Sequence, residues 1–110
     1  MCTIGGKINK KLTLFKNCDL IKNTKFYKPQ IKKGKYKYIA FTRQGRPGIY
    51  AGINQFGFGI VAADTYTKKK YKAKPHTIDN ILKGYEKTIV DYKNVDEGIA
   101  FLKKYFTSKI

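Results

Sequence analysis

The chain has few of the side chains on which most metal centres and hydrolytic sites depend. Its 110 residues include two cysteines, one histidine and no tryptophan, and Ser108 is the single serine. Two cysteines with no CxxC spacing predict neither a disulfide framework nor a structural zinc site, and we expect no metal or other cofactor. A lone His76 and a lone Ser108 give little support to a Ser-His-Asp arrangement. Cysteine is therefore the candidate for any covalent chemistry.

Long apolar runs are also missing. No stretch approaches the length of a membrane span, and the amino terminus lacks the apolar core of a secretory signal. We therefore expect a cytoplasmic protein with no membrane partner. The length fits a single domain over residues 1–110, built around one core.

Acidic residues are scarce, and the chain is strongly basic. Lysine and arginine number 24 against seven acidic residues, which gives a formal net charge of +17. Such a charge attracts nucleic acid, anionic surfaces or an acidic partner. Only Arg43 and Arg46 are arginines, whereas base readout favours arginine, so a solvated or partner-facing lysine surface is the stronger interpretation. The same lysine bias also fits a device for solubility.

The first half of the chain predicts strands and turns. A short strand at residues 2–4 and a strand at 11–19 are expected to form a hairpin through a turn at 5–10, which contains Gly5 and Gly6. Residues 21–35 predict an irregular loop, and three further strands are expected at 36–42, 49–54 and 58–63. The segment GFGIVAAD (57–64) has no polar face before Asp64 and predicts a strand buried on both faces.

The second half predicts two helices. Thr77 is a candidate cap, and Ile78, Ile81, Leu82, Tyr85 and Ile89 share one face at helical spacing. A second helix is expected to start near Asn94, with Glu97 in a capping-box-like position, and to bury Val95, Ile99, Leu102 and Phe106. The fold class is therefore α+β, with an antiparallel sheet over residues 2–63 followed by two antiparallel helices over 77–106.

Four short segments of the chain, taken in their order and spacing, form a recognisable pattern. They are the opening Cys2-Thr3, LFKNCD at 14–19, AGINQFGFGIVAAD at 51–64 and NVDEGIAFL at 94–102. This combination resembles the N-terminal half of N-terminal-nucleophile (Ntn) hydrolases with a cysteine nucleophile, the choloylglycine hydrolase and penicillin acyltransferase-like group. The resemblance implies half of a four-layer αββα sandwich.

The resemblance also implies a catalytic set. Once Met1 is removed, Cys2 would carry both the thiol nucleophile and a free α-amino group that acts as base. Asp19 would accept a hydrogen bond from that amino group, and Lys16 replaces the arginine that such proteins place beside the nucleophile. Asp64 stands where family members often have an oxyanion-hole Asn. Its backbone N–H could serve, but its carboxylate would repel an oxyanion.

Asn17 and Asn54 are the substrate-binding residues that the resemblance implies. For several of these positions a structural interpretation remains open. Asp19 also fits a turn carboxylate at a strand end, and Asn54 with Gly57 fits a hairpin turn. Cys18 fits a small buried apolar residue, and His76 fits a residue at a helix entrance.

The function expected from the resemblance is hydrolysis or acyl transfer at linear amide bonds of a small molecule. The uncovered face of the sheet would need a second subunit, a second copy or a C-terminal half, because an exposed sheet face is a large apolar patch. The alternative is a non-catalytic basic module that binds an acidic partner or nucleic acid.

Overall fold

The computed structural model describes residues 3–17, 25–62 and 78–108 and has an α+β fold. Strands β1 (Thr3–Ile8) and β2 (Leu12–Asn17) form an antiparallel hairpin. A second antiparallel sheet follows in the order β3 (Gln30–Lys33), β4 (Lys37–Phe41), β5 (Ala51–Asn54) and β6 (Gly59–Val61). Helices α1 (Ile78–Asp91) and α2 (Val95–Ser108) end the chain. The predicted fold class is confirmed.

The turn of the first hairpin lies at a different position from the one predicted. Gly5 and Gly6 lie inside β1, and the reversal occurs at residues 9–11. Gly5 lies directly opposite Phe15, and a Cβ atom at Gly5 would collide with the Phe15 ring. The glycine therefore makes room for an aromatic side chain crossing the strand and does not form a turn.

The segment 21–35 also differs from the predicted loop, because residues 30–33 form the edge strand β3. Ile31 pairs with Ile39 and Lys33 with Lys37. An isolated bridge between Phe26 and Arg43 extends this pairing toward the amino terminus. The polar composition of this segment suits an edge strand, which needs only one bonded neighbour.

One face of the four-stranded sheet packs against α1. In β4 the buried residues Tyr38 and Ala40 alternate with exposed ones, and both join a core cluster with Ile49 and Ile89. A Cβ atom at Gly52 would lie 2.7 Å from Ile89 Cδ1, so the absence of a side chain there brings α1 close to β5. The helix layer therefore sits on the side to which Tyr38 and Ala40 point.

Helix α2 begins as predicted, and Leu102 and Phe106 of its predicted apolar face are half-buried, but the first part of that face is exposed. The Asn94 side chain accepts a hydrogen bond from the Glu97 backbone N–H at 3.0 Å, which is an N-cap. Val95 and Ile99 were expected to be buried, yet they are 57% and 47% exposed. The buried position is Gly98, because its missing side chain admits the Phe58 ring.

The other face of the same sheet is apolar and accessible, and we call it the open face. By strand alternation and register it comprises Ile31, Lys33, Lys37, Ile39, Phe41, Ala51, Ile53, Gly59 and Val61. Ile39, Phe41 and Ile53 are 40%, 42% and 45% exposed. Within the described residues no helix packs on the open face, and β2 covers part of it at β6, where a Cβ atom at Gly59 would lie 3.0 Å from Leu14 Cδ1. β6 is half-buried and is not enclosed by helices on both faces as predicted.

Candidate functional site

A cavity of about 500 Å³ lies between the β1–β2 hairpin and the four-stranded sheet, and we call it the hairpin cavity. It is lined by Leu14, Phe15, Lys16, Phe26, Phe41, Tyr50, Ala51 and Val61. Six of these side chains are hydrocarbon, and the other two are Lys16, which carries an ammonium, and Tyr50, whose hydroxyl is buried. Such a space suits an apolar ligand with a polar end.

Lys16 reaches the cavity from β2, where it lies opposite Ile4. Its Nζ atom donates a hydrogen bond to the Ala62 carbonyl oxygen at the end of β6. The same Nζ lies 5.6 Å from the centroid of the Tyr50 ring, within the range of a cation–π contact. These two contacts hold the ammonium at the junction between the hairpin and the sheet.

Three chain segments meet at this junction. Thr3 pairs with Asn17, so the start of β1 lies against the end of β2. The Lys16 hydrogen bond to Ala62 joins the end of β2 to the end of β6. Position 2 precedes Thr3, position 19 is two residues after Asn17, and position 64 is two residues after Ala62. The arrangement therefore gathers the strand ends adjacent to the predicted catalytic residues.

The predicted residues fall unevenly on the structure. Cys2, Cys18, Asp19, Asp64, His76 and Thr77 lie outside the described residues. Asn17 is described through its backbone, which closes β2. Lys16 and Asn54 are described in full, and the structure does not bring them together at the cavity: Lys16 lines it, whereas Asn54 faces α1.

Asn54 has the hairpin-turn role that was the alternative to substrate binding. It is 5% exposed, and its Nδ2 donates to the carbonyl oxygens of Ile89 and Tyr92 at 3.0 and 2.7 Å. Its Oδ1 accepts from the backbone N–H groups of Phe56 and Phe58 at 3.0 and 3.1 Å. One amide thus closes the β5–β6 turn and binds the end of α1. Its substrate-binding role stays a prediction.

Tyr50 is a candidate that the sequence reasoning missed. The residue is 4% exposed, and its hydroxyl has no hydrogen-bond partner among the described residues. Its ring makes an edge contact with Phe26, with centroids 5.7 Å apart. A buried hydroxyl without a partner is unfavourable. Because this hydroxyl has almost no accessible surface, a ligand oxygen would reach it only after a neighbouring side chain moves. Nothing in the strand pattern distinguished Tyr50 from a packing tyrosine.

A second polar cluster lies on the helix side of the sheet. The Tyr38 hydroxyl donates to Glu86 Oε2 at 2.9 Å, and Lys32 Nζ lies 3.8 Å from the same oxygen. Burial, followed by the hydrogen bond and the negative charge of Glu86, raises the pKa of Tyr38 to about 12. The cluster ties β3 and β4 to α1 and is separate from the hairpin cavity.

The fold and this site define an α+β protein whose cavity lies between a hairpin and a sheet face that the hairpin covers in part. Comparisons with protein-family models, with curated proteins and with solved structures return no match to this chain. Among the described residues, no group of three or more Cys, His, Asp and Glu side chains is placed to hold a metal ion. None of the described helices is long and apolar enough to cross a membrane.

Proposed function

We propose that this chain is an Ntn amide hydrolase or acyltransferase that acts on linear carbon–nitrogen bonds through Cys2. The observation that carries the proposal is the meeting of three strand ends at the hairpin cavity. Those ends belong to β1, β2 and β6, and the sequence places Cys2, Asp19 and Asp64 within three residues of them. A nucleophile, the residue that orients its amine and an oxyanion donor must converge in this way on one scissile bond.

The chemistry needs no histidine. The α-amino group of Cys2 takes the thiol proton, and the sulfur attacks the amide carbonyl carbon. Collapse of the tetrahedral intermediate breaks the C–N bond, and the proton passes to the leaving amine. Water or an amine then attacks the thioester, which releases the acid or a new amide and restores the thiol. The Lys16 ammonium favours the thiolate as a nearby positive charge.

The cavity walls support a substrate with an apolar acyl group. Leu14, Phe15, Phe41 and Val61 offer hydrocarbon surface, and Tyr50 lines the same cavity. The proposal includes a second subunit or a second copy, because Phe41, Ala51 and Val61 belong to both the cavity and the open face. Such a cover would exclude water from the reacting thioester.

The test is intact-mass spectrometry of the native protein before and after incubation with a β-lactam that carries an apolar side chain. We expect a starting mass that lacks Met1, followed by one covalent adduct mapped to Cys2. Cys2→Ala should abolish the adduct. Lys16→Met should slow its formation about tenfold or more, because the thiolate loses a neighbouring cation.

The matched control for Lys16 is Lys10→Met. Lys10 is exposed in the turn between β1 and β2, and its replacement removes the same charge from the same hairpin. The rate of adduct formation should stay unchanged in this variant. A protein that retains Met1 and has an inert Cys2, or that reacts equally at Cys18, would contradict the proposal.

The second candidate function is a non-catalytic module that binds an acidic partner or nucleic acid. The charge distribution favours it, since residues 3–17 and 25–62 contain lysine and arginine but no Asp or Glu. An inert Cys2 combined with steeply salt-dependent binding of a polyanion would favour this function over the amidase.

A further inference from the structure

We propose that the open face is the docking surface for an acidic protein partner that presents an apolar strand or sheet face. The partner is a different polypeptide and not a second copy of this chain. The inference rests on the open face and its charges, and it does not require the proposed chemistry at Cys2.

The centre of the open face is hydrocarbon. Ile39 and Ile53 are cross-strand neighbours on β4 and β5, and Phe41 follows on the same side of β4. A second cavity of about 220 Å³ runs along this face beneath Leu12 and Leu14 of the hairpin. Contiguous accessible apolar side chains on a soluble domain mark an interaction surface.

The border of the open face is basic. Lys33 and Lys37 lie directly opposite each other on β3 and β4, on the same side as Ile39. Like charges at opposing positions on a sheet are unfavourable, and carboxylates of a partner would relieve that repulsion. The exposed lysines of the β1–β2 turn, Lys10 and Lys11, add positive charge beside Leu12.

The acidic side chains lie elsewhere. All five acidic residues of the described ranges belong to α1 or α2: Asp79, Glu86, Asp91, Asp96 and Glu97. The described part of the sheet and hairpin carries none. Residues 78–108 also contain five lysines, which balance the acids, whereas residues 3–17 and 25–62 contain ten lysines and two arginines. An acidic partner is therefore attracted more strongly to the sheet side than to the helix layer, whose described residues have no net charge.

This division argues against the two other occupants. Two copies packed open face to open face would bring together two basic borders, with no carboxylate from the described residues between them. Nucleic acid would meet the lysines, but Phe41 is the one aromatic residue among those assigned to the open face, and none of them is an arginine. Single-stranded nucleic acid is bound by several aromatic or guanidinium planes on which successive bases stack. Apolar contact within a basic border fits an acidic protein best.

Docking on this face would also complete the hairpin cavity. Phe41, Ala51 and Val61 line both the cavity and the open face. A partner seated on Ile39 and Ile53 would lie beside these three residues and close that side of the cavity. The partner would thus supply part of any site formed there.

The test measures binding of a designed β-hairpin peptide, with glutamates on one face and valines on the other, to the full chain carrying Cys2→Ala. This background keeps the outcome independent of the proposed chemistry. Isothermal titration at about 0.15 M salt should show saturable binding that weakens steeply toward 1 M salt, where the screening length falls to about 3 Å. A matched hairpin with lysine in place of glutamate should not bind.

Two double variants locate the surface. Ile39→Thr with Ile53→Thr should raise the dissociation constant about tenfold or more, because both side chains lie at the centre of the interface. Val95→Thr with Ile99→Thr removes similarly exposed apolar side chains from α2 and should leave the constant unchanged. Circular dichroism of each variant verifies that the sheet and helices are retained.

Four results would overturn the proposal. The first is no binding of the acidic hairpin by folded protein at about 0.15 M salt. The second is that polyglutamate, which has no apolar face, binds as tightly as the acidic hairpin and that Ile39→Thr with Ile53→Thr does not change the dissociation constant. The third is tighter binding of a single-stranded oligonucleotide that the same changes weaken. The fourth is a dimer in sedimentation at about 0.15 M salt that these changes dissociate.

Discussion

At the scale of single residues, buried polar groups decide how the sheet and helices are held together. The Asn54 amide makes four hydrogen bonds that join the β5–β6 turn to the end of α1. The Tyr38 hydroxyl joins β4 to α1 through Glu86. Both groups point to the helix side, so they hold α1 on the sheet. Phe41, Ala51 and Val61 of the same sheet line the hairpin cavity.

We expect Asn54→Ala to lower the free energy of unfolding by about 3 kcal/mol, because buried carbonyl and N–H groups lose their partner. Urea denaturation measures the change. Asn9→Ala, in the exposed turn between β1 and β2, should change it by less than about 0.5 kcal/mol. A normal stability of Asn54→Ala with a raised KM would instead favour the substrate-binding role.

The pKa of Tyr38 predicts a specific alkaline response. Its folded value of about 12 lies above the ordinary value of 10.0, so folding favours the protonated phenol. This contribution to stability is complete below about pH 10 and is lost as the pH rises toward 12. Absorbance titration near 295 nm should show one late-ionising tyrosine, which Tyr38→Phe removes and Glu86→Gln shifts to lower pH. An unchanged titration in Tyr38→Phe would contradict the assignment.

At the scale of elements, glycines set how closely the layers approach. Gly48 has a φ of 78°, and its backbone lies against the backbone of Leu82 in α1. The neighbouring Ile49 N–H donates to the Leu82 carbonyl at 3.2 Å. The loop before β5 is therefore attached to the middle of α1, which fixes the helix on the sheet.

Gly45 and Gly48 provide a matched pair of substitutions. Both have a φ near 80°, but a Cβ atom at Gly45 has nothing within 4 Å, whereas one at Gly48 collides with the Leu82 backbone. We expect Gly45→Ala to cost about 1 kcal/mol from its backbone conformation alone. Gly48→Ala should cost about 1–3 kcal/mol more, since helix or loop must move. Equal costs in urea denaturation would mean that the loop is free to shift.

At the scale of the whole molecule, charge and apolar surface divide between the two sides. The helix layer carries the described acidic side chains, and the sheet side carries lysine around an accessible apolar centre. A net charge of +17 therefore does not describe a uniform basic coat. The acidic partner that we propose would meet the open face and the hairpin cavity together.

The sequence predicted most of the elements because periodicity and turn residues are local properties. The alternation in β4 and the apolar spacing in α1 correspond to buried Tyr38 and Ala40 and to buried Leu82 and Ile89. The prediction from sequence failed where the conformation of a residue depends on a second element that packs or pairs with it. The sequence predicted a turn at Gly5, but the structure places this glycine in a strand opposite the Phe15 ring. The sequence predicted a loop at Ile31, but this residue pairs with Ile39 in the sheet.

For the candidate site, the sequence by itself determined the composition: scarce histidine, a cysteine at position 2, a basic Lys16, and no Asp or Glu in the described ranges 3–17 and 25–62. Only the tertiary structure decided which residues meet. Lys16 reaches Ala62 across the hairpin and Tyr50 lines an apolar cavity, whereas Asn54 turns away to bind α1. The physical reason is that strand register and side-chain direction depend on long-range pairing, which one chain position cannot encode alone.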